Sequence, residues 1–212
     1  MKNCFRSLFS LLLIASLSSH AGGVHQPESS KRLDALLSPL MALSARFEQI
    51  VTDEEGYELQ TLSGTMIVAR PGRVYWKSDA PYEQLVVSDA TTLWLYDQDL
   101  EQVTVRPFDN DIANTPAVLF IGKVEQLEEK YRVSSLNEGK SIVFTLVPRD
   151  PGALYQKLTL TFVGDTPASM SLWDTLGQQT RIDFDDVTLN QPVDASLFSF
   201  EIPDGVDVLY DH

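Results

Sequence analysis

Residues 64–76, GTMIVARPGRVYW, are typical of two β-strands joined by a tight turn. Val, Ile, Tyr and Trp favour strands, and the Pro71-Gly72 pair between the two apolar runs favours a turn. A connection this short leaves no room for the crossover helix that joins parallel strands. The stretch therefore predicts an antiparallel hairpin.

The same pattern extends from this hairpin in both directions. Strands are predicted at 47–53, 57–69, 73–77, 84–87, 92–96, 101–106, 131–136, 141–147, 156–163, 168–173 and 179–184, with a last pair around 198–201 and 207–209. Short turns rich in Gly, Pro and Asp separate them. About eleven strands are too many for a small sandwich, so we expect a mainly β fold with one large curved antiparallel sheet or barrel.

Two short helices are expected beside the strands. Ser29 and Ser30 can cap a helix whose leucines recur at the spacing of one helix face, and Pro39 ends or bends it. The leucines are Leu33, Leu36, Leu37 and Leu40. The segment Asn114–Ile121 places a cap residue and Pro116 before an apolar run, which predicts a second helix.

The N-terminus has the pattern of a secretory signal peptide. Lys2 and Arg6 precede an apolar run at 8–17 that is too short to span a bilayer. Small residues at 19–21 predict cleavage before Gly22, which leaves residues 22–212 as a single exported domain. Cys4 lies within this signal, so the mature chain is expected to lack both a lipid anchor and a disulfide.

The charge balance excludes some classes of partner. Without Lys2 and Arg6 the chain has 14 basic and 30 acidic residues, a net charge near −16. Such a chain repels nucleic acid and anionic headgroups. We therefore expect no nucleic-acid partner, and the charge favours solubility and a basic protein partner.

Residues suited to catalysis are scarce. His20, His25 and His212 are the only histidines, so the core of the chain cannot supply a Ser/His/Asp triad, a Cys/His pair or a usual zinc site. No Gly-rich phosphate loop follows a strand. Carboxylates are abundant, and a paired-acid glycosidase stays open on composition, although most of them fall in turns. We expect no enzyme, no metal and no cofactor.

Several strands carry more apolar area than one sheet face can bury. Residues 92–96 and 74–76 place large apolar side chains on both faces. A strand that is apolar on both sides must be covered on both sides. Two interpretations stay open: a filled core, or a lined cavity under a helical lid in which acyl chains complete the core.

Arg70 also allows two interpretations. It shares a strand face with Met66 and Val68 and directly precedes Pro71. A guanidinium in this position commonly ends the strand with its head in water. Alternatively, its planar fork of five donors can bind the carbonyls of a lid.

Seven phrases, taken in order, resemble the LolA family of outer-membrane lipoprotein carriers. They are SARFEQ (44–49), GTMIVARPGRVYW (64–76), PYEQLVVSD (81–89), LWLYD (93–97), DLEQV (99–103), NTPAVL (114–119) and FSFEIPDGVD (198–207). The resemblance implies an unclosed antiparallel barrel whose apolar face is covered by a lid of short α-helices. It also implies a monomeric periplasmic carrier that takes lipid-modified lipoproteins from an inner-membrane ABC-type releasing complex. The carrier then passes them to a LolB-like acceptor lipoprotein on the outer membrane.

The resemblance also implies roles for individual residues. Arg70 stands at the position of the family's lid-latching arginine, and the lid helix includes Pro116, Ala117 and Val118. We expect an acyl-binding cavity lined by Met66, Val68, Val74, Trp76, Trp94, Leu119 and Phe120.

Two positions depart from the family pattern. Val74 stands where many members have Phe, which would widen the cavity mouth. Ala90 replaces the Gly of a Ser-Asp-Gly turn, which strains the backbone if this residue needs a positive φ. Two other functions on the same fold stay open: a sensor or interaction module, and a carrier of free lipids or glycolipids.

Overall fold

The computed structural model describes residues 27–108, 118–121 and 127–211. The helices are α1 (Pro27–Leu37), α2 (Val118–Ile121) and α3 (Leu127–Lys130), and a 3-10 helix lies at Ala195–Phe198. The strands are β1 (Ala42–Thr52), β2 (Glu58–Ala69), β3 (Arg73–Ser78), β4 (Gln84–Asp89), β5 (Thr92–Asp97), β6 (Gln102–Pro107), β7 (Tyr131–Glu138), β8 (Ser141–Pro148), β9 (Tyr155–Val163), β10 (Thr166–Asp174), β11 (Gln179–Leu189) and β12 (Asp207–Tyr210). The predicted signal peptide, Pro116 and Ala117 lie outside the described residues.

All twelve described strands form one sheet. Their order is β12-β6-β5-β4-β3-β2-β1-β11-β10-β9-β8-β7, so β12 and β7 are its two edges and the sheet does not close. Every neighbouring pair is antiparallel except β12 and β6. The expected mainly β fold, an unclosed antiparallel sheet with short helices, is therefore confirmed.

Helix α1 begins earlier than the serine caps predict. Pro27 is its first residue, because the fixed φ of proline suits the first turn of a helix. Ser29 and Ser30 consequently lie inside the helix, where both are buried. The helix ends at Leu37, since Ser38 precedes Pro39 and a residue before proline avoids the helical region.

One face of the sheet, here called the inner face, carries most of the core. Cross-strand pairs such as Val68 with Val74 and Met66 with Trp76 place these side chains together. Strand alternation carries the same face through β1, β11, β10, β9 and β8. Phe47 lies opposite Phe184 there, and Met170 lies opposite Ile182 and Leu160, which in turn faces Phe144. Side chains of α1 and α2 belong to the same buried cluster, so these two helices cover the inner face.

The C-terminal segment covers part of the opposite face, here called the outer face. The strand predicted at 198–201 is wrong, because Phe198 ends a 3-10 helix capped by the Asp194 side chain. Phe200 then packs on the rings of Trp94 and Tyr96, at centroid distances of 6.4 and 5.7 Å. Both faces of β5 are apolar and need to be covered, and this segment covers the outer one.

Strand β12 corrects the expectation of an entirely antiparallel meander. It pairs with β6 in parallel, with Val208 opposite Val103 and Tyr210 opposite Val105. Residues 190–206 connect β11 to β12. A connection of this length can return a strand in either direction, whereas a tight turn cannot.

We expect Ala90→Gly to stabilise the protein. Ala90 has φ 83°, a left-handed conformation that costs an alanine about 1 kcal/mol relative to glycine. Its amide donates to Ser88 Oγ at 3.1 Å, which holds the turn between β4 and β5. Urea denaturation should show a free energy of unfolding raised by about 1 kcal/mol. Ala35→Gly, at an exposed site within α1, is the matched control and should lower it by a similar amount.

Candidate functional site

Most of the predicted lining residues meet on the inner face. Met66, Val68 and Val74 are completely buried, and they share one cluster with Leu119 and Phe120, which are at most 4 % exposed. Trp76 is partly buried against this cluster and packs on Phe47, with ring centroids 4.1 Å apart. Six of the seven predicted residues therefore lie together.

Trp94 does not belong to this group. It pairs with Val87 and Val105, whereas its neighbour Leu95 pairs with Val86, which in turn faces Trp76. Because side chains alternate along a strand, Trp94 points to the outer face, where Phe200 covers it. The expectation that Trp94 lines the cavity is therefore wrong.

The described part of the inner face is filled by the chain itself. Leu33 and Leu37 of α1 have no exposed surface, and Phe120 of α2 meets Phe184 edge-on at 5.6 Å. These side chains occupy the space over the sheet that the cavity interpretation assigned to a guest. A guest can reach Met66 and Val68 only if α1 and α2 move.

Arg70 contacts both covering helices. Its Nη2 donates to the carbonyl oxygen of Leu37 at 3.1 Å and to that of Phe120 at 3.4 Å. Its Nε is buried and has no hydrogen-bond partner among the described residues. Leu37 is the last residue of α1, and Phe120 lies in α2, so one guanidinium ties both helices to the end of β2. The head therefore points at helix carbonyls and not only at water.

Polar contacts at the other end of α1 were not anticipated from the sequence. Ser29 Oγ lies 2.8 Å from Ser135 Oγ of β7, and Arg32 Nη1 donates to Asn137 Oδ1 at 3.1 Å. Ser135 and Asn137 share the inner face of the edge strand β7 with Val133. No local motif predicts such contacts, because the partners are about a hundred positions apart in the chain.

A pocket of about 370 Å³ opens where α1 meets the sheet. Its lining is mostly apolar and includes Leu36, Leu40 and Leu189, with the charged side chains of Arg32 and Asp165 also at its wall. The pocket lies beside the C-terminal end of α1. Arg70 binds the Leu37 carbonyl there, and Asn190 Nδ2 donates to the Pro39 carbonyl at 3.0 Å. It marks a point at which the described residues leave the cover of the inner face incomplete.

The ionic contacts of the described residues lie away from the inner face. Arg46 donates to Asp79 Oδ2 at 2.7 Å, and this hydrogen bond lowers the pKa of the Asp79 carboxyl. Both side chains are more than 40 % exposed. Within residues 27–108, 118–121 and 127–211, no three His, Cys, Asp or Glu side chains are grouped to hold a metal ion. None of the helices in that part of the chain is long and apolar enough to span a membrane.

Comparisons with known proteins agree on one family. Residues 38–201 match the family described as outer membrane lipoprotein carrier protein LolA. The chain is 41 % identical to an outer-membrane lipoprotein carrier protein of Chromohalobacter salexigens, over 95 % of this chain and 96 % of that one. It is 45 % identical to one of Alcanivorax borkumensis, over 82 % of this chain and 83 % of that one.

A solved structure supports the fold alone. The chain superposes on an uncharacterized conserved protein from Thermus thermophilus with a TM-score of 0.52. The two are 14 % identical, and the match covers 87 % of this chain and 98 % of the other.

Proposed function

The chain belongs to the LolA family of outer membrane lipoprotein carrier proteins, and from this premise we propose that its inner face binds the acyl chains of lipoprotein cargo. The family consists of periplasmic carriers that are not enzymes. This chain is accordingly an outer-membrane lipoprotein carrier. In the proposal, α1 and α2 form a lid that moves away so that acyl chains replace Leu33, Leu37 and Phe120 over the sheet.

The observation that carries the proposal is the contrast between the surface beneath the lid and the contacts that hold the lid. The sheet beneath it is apolar over several strands, with Val68, Phe144 and Leu160 completely buried. Burying an acyl chain there gains about 0.8 kcal/mol per CH₂. A few hydrogen bonds, each worth about 1 to 3 kcal/mol, hold the helices by their ends. Displacing Leu33, Leu37 and Phe120 from the sheet offsets part of that gain, and breaking these bonds adds to the cost of opening. The net free energy of loading is therefore smaller than that of acyl burial alone, which makes release possible.

Arg70 favours the closed, empty carrier and therefore the release of cargo. Its bonds to Leu37 and Phe120 exist only while both helices cover the sheet. Acyl chains that displace the helices break these bonds, which lowers the affinity of the carrier for its cargo. A carrier must release what it binds, and in this proposal Arg70 keeps the loaded state weak enough for delivery.

The direction of transport is also part of the proposal. The exported chain, after cleavage of its signal peptide, takes lipoproteins as a monomer from an inner-membrane ABC-type releasing complex. It passes them to an acceptor lipoprotein on the outer membrane. The net charge near −16 that remains without Lys2 and Arg6 keeps the empty carrier off anionic lipid surfaces, which suits a protein that crosses an aqueous compartment.

Tryptophan quenching tests where the acyl chains lie. We expect a triacylated lipopeptide with brominated chains to quench Trp76 strongly in a variant that retains only this tryptophan. The matched variant retains only Trp173, which lies opposite Lys157 on the outer face and should be unaffected. Native mass spectrometry of the same samples measures loading independently, and a phospholipid with identical chains tests the free-lipid alternative.

Loading without selective quenching of Trp76 would place the acyl chains elsewhere on the protein. Equal loading by the phospholipid would favour a general lipid carrier over a lipoprotein carrier.

A further inference from the structure

Exposed apolar side chains mark every hairpin turn at one end of the sheet. This end carries the turns β1–β2, β3–β4, β5–β6, β8–β9 and β10–β11, and each turn presents one large apolar residue to solvent. The residues and their exposed fractions are Tyr57 72 %, Tyr82 52 %, Leu100 68 %, Leu154 62 % and Leu176 80 %. We call this set, with Leu59 (54 % exposed) beside it, the apolar rim.

Contacts between adjacent turns hold the rim residues in one row. Thr175 N donates to the Leu154 carbonyl at 3.3 Å, which joins the turns β8–β9 and β10–β11. A Cβ built at Gly177 would lie 3.0 Å from Cβ of Glu54, so the turns β10–β11 and β1–β2 touch.

The other two junctions continue the same row. Leu59 and Tyr82 line one groove of about 610 Å³ between β2 and the turn β3–β4. Gln98 N donates to the Glu83 carbonyl at 3.4 Å, which joins that turn to β5–β6. Single apolar residues on a protein surface are ordinary, whereas an exposed apolar residue on each of five neighbouring turns is typical of an interaction site.

The rim is strongly acidic. Residues 53–58, 79–83, 97–101, 149–154 and 174–178 contain eleven carboxylates and one basic side chain, Arg149. The carboxylates are Asp53, Glu54, Glu55, Glu58, Asp79, Glu83, Asp97, Asp99, Glu101, Asp150 and Asp174. Arg149, and Arg46 through its 2.7 Å ion pair with Asp79, offset only two of these charges, so the rim keeps a large negative excess.

We propose that the apolar rim is the docking surface for a protein partner whose own face carries apolar residues flanked by Lys and Arg. Such a surface buries Tyr57, Tyr82 and Leu176 while its cations meet the carboxylates, which speeds association and selects the partner. An anionic membrane is repelled by the same carboxylates, and a second copy of the chain would bring two acidic rims together. A basic protein is the occupant that the charge favours.

The rim is placed so that docking leaves the lid free. Strand β2 runs from Glu58 at the rim to Ala69, next to Arg70. Twelve residues in an extended strand span about 40 Å. The rim and the Arg70 contacts therefore lie at opposite ends of the sheet, and a partner bound at the rim does not block movement of α1.

This inference rests on the proposed transport function, because it concerns a partner in cargo transfer. The test uses two purified proteins as probes: the outer-membrane acceptor without its lipid, and the inner-membrane releasing complex in detergent. Vesicles of phosphatidylethanolamine and phosphatidylglycerol form a third arm. The rim variants are Tyr82→Ser/Leu176→Ser and Glu55→Lys/Asp99→Lys.

Matched controls lie off the rim. Leu136→Ser removes a leucine that is 62 % exposed, as Leu154 is, but that lies on β7. Glu138→Lys/Asp185→Lys reverses two exposed charges that lie off the rim. Lipopeptide loading is measured for every variant, so that a failure of the carrier function is seen separately from a failure of docking.

We expect each rim variant to raise the Kd for at least one protein probe by about tenfold, with loading unchanged and the controls like the parent. Added salt should weaken the parent complex and have less effect on Glu55→Lys/Asp99→Lys. Unchanged binding of both probes by the rim variants would overturn the proposal, as would a parent that binds neither probe. Vesicle binding that is lost in the rim variants would overturn it in favour of a lipid surface.

Discussion

Tying α1 to β7 with a disulfide is expected to abolish lipopeptide loading, and reduction is expected to restore it. The pair Ser29→Cys/Ser135→Cys suits this purpose, because the two Oγ atoms are 2.8 Å apart. The only cysteine of the chain, Cys4, falls in the predicted signal peptide and would not compete. If α1 must leave the inner face, the oxidised carrier cannot expose Met66 and Val68, and its loading should fall by more than about tenfold.

Loading is measured by native mass spectrometry of the oxidised and reduced forms of the same preparation. Each single variant, Ser29→Cys or Ser135→Cys, controls for the loss of the serine contact and should load in both conditions. Normal loading by the fully oxidised double variant would show that acyl chains enter without movement of α1. The lid mechanism would then have to be abandoned.

Arg70→Leu is expected to load normally or more tightly and to deliver poorly. The substitution removes the bonds to the Leu37 and Phe120 carbonyls and so destabilises the closed, empty carrier. Hydrogen bonds from a charged donor are worth about 1.5–3 kcal/mol, and tenfold in affinity corresponds to about 1.4 kcal/mol. Retention of cargo should therefore increase by about ten- to a hundredfold.

Delivery is measured as transfer of a labelled lipoprotein from the loaded carrier to the outer-membrane acceptor, and retention as the rate of spontaneous loss. Arg132→Leu is the matched control, since Arg132 is an exposed arginine on β7 between the buried Tyr131 and Val133, on the face away from the lid. It should load and deliver as the parent does. Undiminished delivery by Arg70→Leu would remove the proposed role of Arg70, while the acyl site itself would stay in place.

Some of the site follows from short-range patterns. Side chains alternate regularly along the apolar run before Pro71-Gly72, so Met66 and Val68 lie on one face. Val74 lies on the same face, opposite Val68 across the turn. The resemblance of the Ser88-Asp89-Ala90 turn to a glycine-containing one marked Ala90 as strained if its φ is positive, and the φ is 83°. These features depend on residues close together in the chain, where turn chemistry and alternation leave few alternatives.

Strand alternation alone could not assign Trp94. Which side chains of β5 share a face with Met66 of β2 depends on the register of the two strands between them. A slip of one residue in that register would move every side chain of β5 to the other face. Both faces of β5 are apolar, so its own sequence holds no signal that separates them. The register in the folded sheet places Leu95 on the inner face and Trp94 under Phe200.

By itself, the sequence determined the strand-rich class, the turns, the scarcity of His and Cys and the position of Arg70 at the end of an apolar strand. Only the tertiary structure decided that α1 lies against β7, that the C-terminal segment covers the outer face, and that five distant turns form one rim. These are contacts between residues far apart in the chain. They form because burying apolar area selects among many possible pairings, and no local preference records which pairing wins.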